Sequence, residues 1–132
     1  MRVRNVMVKN VKTISPEATM AEAARIMKKY KIGCLVVVEG EKVVGIITER
    51  DLAYRIIAER RSLDTKVGEI MTKDLKTISP EKSLKDAAKI MAAHVIRRLP
   101  VLEEGKLVGI VSIEDIMRTE KIGADASLFS YT

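Results

Sequence analysis

The chain has 132 residues, 47% of them hydrophobic, and a formal net charge of +6 at pH 7, which fits one compact globular protein. One cysteine, Cys34, and one histidine, His94, exclude an internal disulfide and leave no ligand set for a zinc site. No apolar run approaches the ~20 residues of a membrane span, and residues 1–5 do not resemble a signal peptide, so we expect a cytoplasmic protein without a membrane partner.

The chain contains one pattern twice. Residues 3–52 align without a gap on residues 67–116, and the hexapeptide KTISPE at 12–17 returns unchanged at 76–81. A repeat of roughly fifty residues is one supersecondary unit and buries too little surface to be stable alone. We therefore expect the two repeats to pack together and function to lie between them.

Each repeat predicts the element order β-α-β-β-α, in the α/β (α+β) class, because the spacing of its apolar residues switches from strand to helix in the same sequence. In the first repeat the elements are predicted at residues 11–14, 23–30, 34–38, 43–47 and 49–60. In the second they are predicted at residues 75–78, 84–93, 99–102, 107–111 and 114–121.

The predicted organisation has four parts. Residues 1–60 form the first repeat, 61–66 a charged linker, 67–122 the second repeat and 123–132 a C-terminal tail. The linker is too short to let the repeats move independently. The tail is small and polar apart from Leu128, Phe129 and Tyr131, which makes it either a loose terminus or a segment that docks on a partner subunit.

A hydroxyl residue followed three positions later by a carboxylate occurs at Thr48 and Asp51 and again at Ser112 and Asp115. This spacing is typical of a capping box at the start of a helix. The same spacing begins the first helix of each repeat, at Thr19 and Ser83, where we interpret it as capping only. Location distinguishes the first two pairs, since each follows a buried strand directly, where ligands commonly bind.

The carboxylates of Asp51 and Asp115 would repel phosphate but suit neutral donors such as ribose hydroxyls. Residue chemistry alone leaves nucleotide binding and simple capping as alternatives. Arg97 and Arg98 lie side by side at the entry to a predicted apolar strand, which suits bidentate phosphate contacts, a solvated strand edge or an ion pair. His94 aligns with Tyr30 and is expected to pack rather than to titrate.

The duplicated unit resembles cystathionine-β-synthase (CBS) domains over nearly the whole chain. The residues that carry the resemblance are the repeated TISP, the segment IRRLPV at 96–101, and the segments GIITERD at 45–51 and GIVSIED at 109–115. The resemblance implies two units related by a pseudo-twofold axis, with clefts for an adenosine compound such as AMP, ADP, ATP or S-adenosylmethionine. It also implies a homodimer.

Carried over by position, the resemblance implies that Asp51 and Asp115 hold ribose hydroxyls and that Thr48 and Ser112 approach phosphate. Residues expected to line the base pocket of the opposite repeat's site are Thr13, Ile14, Thr77, Ile78, Gly33 and the region of Ile96 and Arg97. Arg50 stands beside one site, whereas its counterpart Glu114 would oppose phosphate. We therefore expect the site anchored by Asp51 to be the tighter one for phosphorylated ligands.

The sequence thus predicts a stand-alone ligand sensor that reports to an unidentified regulated protein. An enzyme is disfavoured, because neither Asp51 nor Asp115 has a nucleophile, a metal or a second acid beside it. One alternative is an interaction scaffold in which both motifs serve only as caps. The other is a nucleic-acid-binding accessory protein, which the dispersed charge and four aromatic residues support poorly.

Overall fold

The computed structural model describes residues 1–120, so the predicted tail lies outside the described residues. It is a mixed α and β structure whose contacts divide it into two compact units. The central unit is Val11–Leu75. The terminal unit combines Met1–Asn10 with the chain from Lys76 onward. The units are defined by contacts within the fold and the repeats by sequence similarity, so their boundaries differ.

The central unit contains a three-stranded sheet and flanking helices. Its elements are β1 (Thr13–Ile14), α1 (Met20–Tyr30), β2 (Cys34–Glu39), β3 (Lys42–Thr48), α2 (Glu49–Asp51) continuing as a π-helical segment (Leu52–Ile57), and α3 (Val67–Ile70). Strand β1 pairs in parallel with β2, and β2 pairs antiparallel with β3. The helix predicted at 23–30 and the hairpin predicted from the strands at 34–38 and 43–47 are confirmed.

The terminal unit repeats this plan with a two-stranded sheet. Its elements are a short 3-10 helix (Val3–Asn5), α4 (Leu84–His94), β4 (Arg98–Glu103), β5 (Lys106–Ser112) and α5 (Ile113–Glu120). The hairpins of the two units bury their residues in the same order along both strands. Duplication of sequence has therefore preserved which side chains face each core.

The first long helix of each unit begins and ends where its local sequence directs. The Thr19 hydroxyl accepts a hydrogen bond from the Glu22 backbone N–H at 3.1 Å, and the Ser83 hydroxyl accepts one from the Asp86 N–H at 3.0 Å. Both helices end at a residue in the left-handed region, Lys31 with φ 54° and Val95 with φ 53°. The capping interpretation of Thr19 and Ser83 is confirmed.

Two predicted elements differ from the structure. The predicted strand at 75–78 is wrong, since only Ile78 pairs there, as a single parallel bridge to Val101. The predicted helix at 49–60 is helical but changes its hydrogen-bond pattern after Asp51, and the Ala58 N–H bonds to the Ala53 carbonyl at 2.9 Å. Such i to i+5 turns are rare and are frequent at functional sites.

Each unit is completed by a segment from the other repeat. In the terminal unit Val3 is fully buried among residues of the second repeat, and in the central unit its counterpart Val67 is fully buried among residues of the first. A Cβ on Gly109 would lie 2.7 Å from the Met7 sulfur, and a Cβ on Gly45 would lie 2.6 Å from the Met71 sulfur. The same Cβ atoms would lie 3.0 Å from the Val8 carbonyl oxygen and 2.9 Å from that of Thr72, so the close approach of backbone as well as methionine favours glycine at both strand positions.

Ion pairs accompany these two segments on the surface. Arg4 donates to Glu81 at 2.6 Å and to Glu103 at 2.7 Å, whereas Lys66 pairs with Glu17 at 2.7 Å. These side chains are about half exposed or more, so such pairs contribute little stability. The burial of Val3 and Val67 is therefore the larger contribution.

Replacing Val3 by Ala removes two buried methyl groups and should lower the free energy of unfolding by about 1–3 kcal/mol, although chain termini usually tolerate substitution. Val67→Ala should cost a similar amount. The measurement is urea denaturation followed by circular dichroism, with exposed Met1→Ala as the control. A cost for Val3→Ala no larger than that of the control would contradict the burial of the N-terminal segment.

Candidate functional site

The strongest candidate site in each unit is the junction where the last strand of the hairpin turns into a helix. In the central unit the junction consists of Gly33, Thr48, Arg50 and Asp51, and in the terminal unit of Arg97, Arg98, Ser112, Glu114 and Asp115. We refer to these sets as the central and terminal junctions. Each contains the hydroxyl and carboxylate pair predicted from the sequence.

The hydroxyl and the carboxylate cap each other in both junctions. Asp51 Oδ2 accepts from the Thr48 N–H at 2.8 Å, and the Thr48 hydroxyl accepts from the Asp51 N–H at 3.3 Å. At the terminal junction the corresponding bonds between Ser112 and Asp115 measure 3.1 and 3.2 Å. The capping geometry that this spacing predicts is therefore present at both places, and whether capping is the only role stays open. Each carboxylate retains a second oxygen that the cap does not use.

Each junction is tied to the start of the neighbouring strand. The first helical N–H, that of Glu49, donates to the Gly33 carbonyl at 2.9 Å, and the N–H of Ile113 donates to the Arg97 carbonyl at 2.8 Å. Strand register places Arg98 directly opposite Ser112. The structure thus brings together, within each unit, predicted residues that lie about fifteen positions apart in sequence.

The second carboxylate oxygens differ between the junctions. Asp51 Oδ1 lies 3.6 Å from Arg55 Nε, beyond hydrogen-bonding distance, and receives no hydrogen bond from the described residues. The Arg55 guanidinium instead donates to the Ile70 carbonyl at 2.5 Å. Asp115 Oδ1 accepts a hydrogen bond from Arg118 at 2.6 Å. Asp51 is 8% exposed and is the one buried charged residue within the described part of the chain.

The basic residues differ as well. Arg50 is exposed and lies over the ring of Tyr54, with 5.9 Å between the guanidinium carbon and the ring centroid. Its counterpart Glu114 forms an ion pair with Arg97. Burial would raise the pKa of Glu114, but the hydrogen bond from Arg97 and others at the helix start outweigh it and hold the pKa below its usual value. The ion-pair interpretation of Arg97 is confirmed.

The two Thr–Ile pairs among the residues predicted for the base pocket, at 13–14 and 77–78, separate into two environments. Ile14 and Ile78 are 7% and 5% exposed and belong to the apolar cores of their own units, whereas Thr13 and Thr77 are exposed beside them. Their role toward a site of the opposite repeat stays a prediction.

A surface groove of about 470 Å³ lies beside the central junction. It runs between α1, the start of β2 and the start of α2, and its lining includes Lys28, Lys31, Gly33 and Glu49. No sequence motif selects Lys28 or Lys31. Arg55 and Arg118, also missed, carry a recognisable signal, since each stands one helical turn after its aspartate.

Two further findings for residues 1–120 concern metal ions and membranes. No cluster of three or more His, Cys, Asp and Glu side chains in this range is placed to hold a metal ion. Among the same residues, no helix combines the length and the apolar character needed to cross a membrane.

Comparison with known proteins identifies the family. The CBS domain model matches residues 3–58 and again residues 67–121. The chain belongs to the CBS domain family. The CBS domain-containing protein YhcV of Bacillus subtilis (strain 168) is 39% identical to it over 98% of this chain and 95% of its own length. The predicted family and the mixed fold of two CBS repeats are confirmed.

Solved CBS structures agree with this fold. A protein with CBS domains from Burkholderia ambifaria MC40-6 superimposes with a TM-score of 0.83 at 33% identity, over 89% of this chain and 90% of that one. The CBS domain pair of protein MJ0100, in complex with 5′-methylthioadenosine and S-adenosyl-L-methionine, superimposes with a TM-score of 0.84 at 31% identity, over 92% of this chain and 96% of that one.

Loss of a capping hydroxyl should destabilise each CBS repeat. Thr48→Ala leaves the Asp51 N–H without its partner and should lower the free energy of unfolding by about 1 kcal/mol. Thr48→Ser keeps the hydroxyl and should cost less. Denaturant unfolding of the two variants measures the difference, and equal costs would contradict a capping role for the hydroxyl.

The ion pair of Glu114 should make stability depend on pH. Because folding lowers the pKa of Glu114, the pair stabilises the protein above the ordinary pKa near 4.5, and this contribution is lost as the pH falls through the lowered value. Glu114→Gln should therefore destabilise the protein more at pH 7 than at pH 3. Parallel urea titrations at the two pH values test this, and a difference that grows in acid would contradict it.

Proposed function

We propose that this CBS protein is a regulatory module, and not an enzyme, that binds an adenosine-containing ligand. The candidates are AMP, ADP, ATP and S-adenosylmethionine. The observation that carries the proposal is the state of Asp51, a buried carboxylate whose Oδ2 is fixed by the cap, whereas its Oδ1 receives no hydrogen bond from the described residues and forms only a 3.6 Å ion pair with Arg55. The second oxygen of such a carboxylate can accept a hydrogen bond from a neutral hydroxyl group.

The chemistry of a ribose matches this carboxylate. A buried carboxylate is costly unless hydrogen bonds satisfy it, and vicinal hydroxyls supply two donors without adding charge. Acidic residues bind ribose hydroxyls in the same way in dinucleotide folds. Arg50, exposed one position before Asp51, adds a cation for a phosphate group attached to the same nucleoside.

The MJ0100 complex supports an adenosine ligand over a phosphate ligand in general. Its two bound compounds, 5′-methylthioadenosine and S-adenosyl-L-methionine, share an adenosine group and carry no phosphate. The group common to these two compounds is the base with its ribose, and we propose that this chain recognises the same group.

The output of such a module is a change in the populations of its conformations. A ligand that binds one conformation better than another shifts the equilibrium toward it, and any protein that recognises that conformation is coupled to the ligand. We propose that the chain acts as a homodimer and reports through its surface to a separate regulated protein.

The test is ligand binding by Asp51→Asn. Isothermal titration with AMP, ATP, S-adenosylmethionine and 5′-methylthioadenosine should show binding to the wild type that weakens at least tenfold in this variant, because the amide is a poorer acceptor for ribose hydroxyls. The matched control is Asp86→Asn, since Asp86 follows the capping Ser83 at the same spacing in α4. This control should bind as the wild type does.

The confirmed caps favour one second candidate, an interaction scaffold in which the junctions only start helices. A folded wild type that binds none of the four compounds would support the scaffold and reject the sensor. Binding that is equally strong in Asp51→Asn would retain a ligand-binding function and reject Asp51 as its anchor.

A further inference from the structure

The two junctions carry different charges on the same scaffold. At aligned positions, the central junction has Gly33 and Arg50, and the terminal junction has Arg97 and Glu114. The central junction thus has its arginine on the helix, whereas the terminal junction has an arginine at the start of the strand and an acid on the helix.

The strand and the helix of the terminal junction bring Arg97 and Glu114 into contact. The hydrogen bond from the Ile113 N–H to the Arg97 carbonyl, 2.8 Å long, fixes the backbone of Arg97 beside the first turn of α5. In this position Arg97 Nη2 forms an ion pair with Glu114 Oε1. The side chains of Arg97 and Glu114 are 33% and 49% exposed, so both reach solvent as well as each other.

The carboxylate of Asp115, next to Glu114 in the sequence, is also paired with an arginine. Asp115 Oδ1 accepts a hydrogen bond from Arg118 at 2.6 Å, whereas Asp51 Oδ1 forms only a longer ion pair, with 3.6 Å to Arg55 Nε. At the terminal junction Arg97 and Asp115 are therefore already paired by this chain, with Glu114 and Arg118. The central junction has glycine at the position of Arg97, so it has no equivalent of the pair between Arg97 and Glu114.

We propose that Glu114 is a specificity-determining residue that competes with anionic ligand groups for Arg97. The biological meaning of this inference rests on the proposed function. Under that function, Glu114 makes the terminal junction reject phosphorylated adenosines in favour of uncharged ones. A half-exposed ion pair is weak enough for a strong anion to exchange, yet the displaced carboxylate then repels that anion. Both effects lower the phosphate affinity of Arg97 in the wild type.

The experiment measures anion binding at Arg97 directly, with inorganic phosphate as the probe. The Arg97 Nε–H resonance of ¹⁵N-arginine-labelled full-length protein, assigned by its loss in Arg97→Lys, is followed during phosphate titration. Glu114→Gln keeps the size of the side chain and should bind phosphate about tenfold more tightly than the wild type. The matched control is Glu104→Gln, which changes the net charge equally at an exposed hairpin position of the same unit.

The outcomes separate the inference from the function on which it rests. Tighter binding in Glu114→Gln, with the control unchanged, supports the competition, and titration with AMP and adenosine should then show a gain for AMP alone. Equal phosphate affinity in the wild type and Glu114→Gln, or an equal gain in Glu104→Gln, overturns it. If no adenosine compound binds while phosphate affinity still responds to Glu114→Gln, the proposed function fails and the competition stands.

Discussion

The structure depends on the burial of one short apolar segment against each hairpin, supplied in both cases by the other repeat of the sequence. Val3 and Val67 are fully buried in this way, and Met7 and Met71 cross strands at Gly109 and Gly45. Without these segments each hairpin would expose one edge of its core. Neither stable unit is therefore a contiguous repeat, and the chain must complete one unit with residues from its own beginning.

The hairpin positions both junctions. Backbone hydrogen bonds join the Gly33 and Arg97 carbonyls to the first N–H of the following helix. The cap orients the Asp51 carboxylate through Oδ2, while Oδ1 forms only a long ion pair with Arg55. Under the proposed function, the cap therefore sets the orientation of Asp51 before a ligand arrives.

Duplication copied the scaffold more faithfully than the charges. Burial along the hairpins is the same in both units, because apolar residues that face a core are constrained by packing. The charged residues at the junctions face solvent in part and are free of that constraint. Arginine therefore stands on the helix in the central junction and at the start of the strand in the terminal junction, although the two hairpins are buried alike.

The sequence by itself determined the two hairpins, the helices α1 and α4 and the caps at Thr19, Ser83, Thr48 and Ser112, because each depends on residues within a few positions of one another. It also indicated the family and the residues of both junctions. It did not predict that residues 75–78 pair only at Ile78, that Val3 belongs to the core of the second repeat, or that Arg97 meets Glu114. Those features join residues distant in sequence, and only the folded backbone decides which distant groups become neighbours.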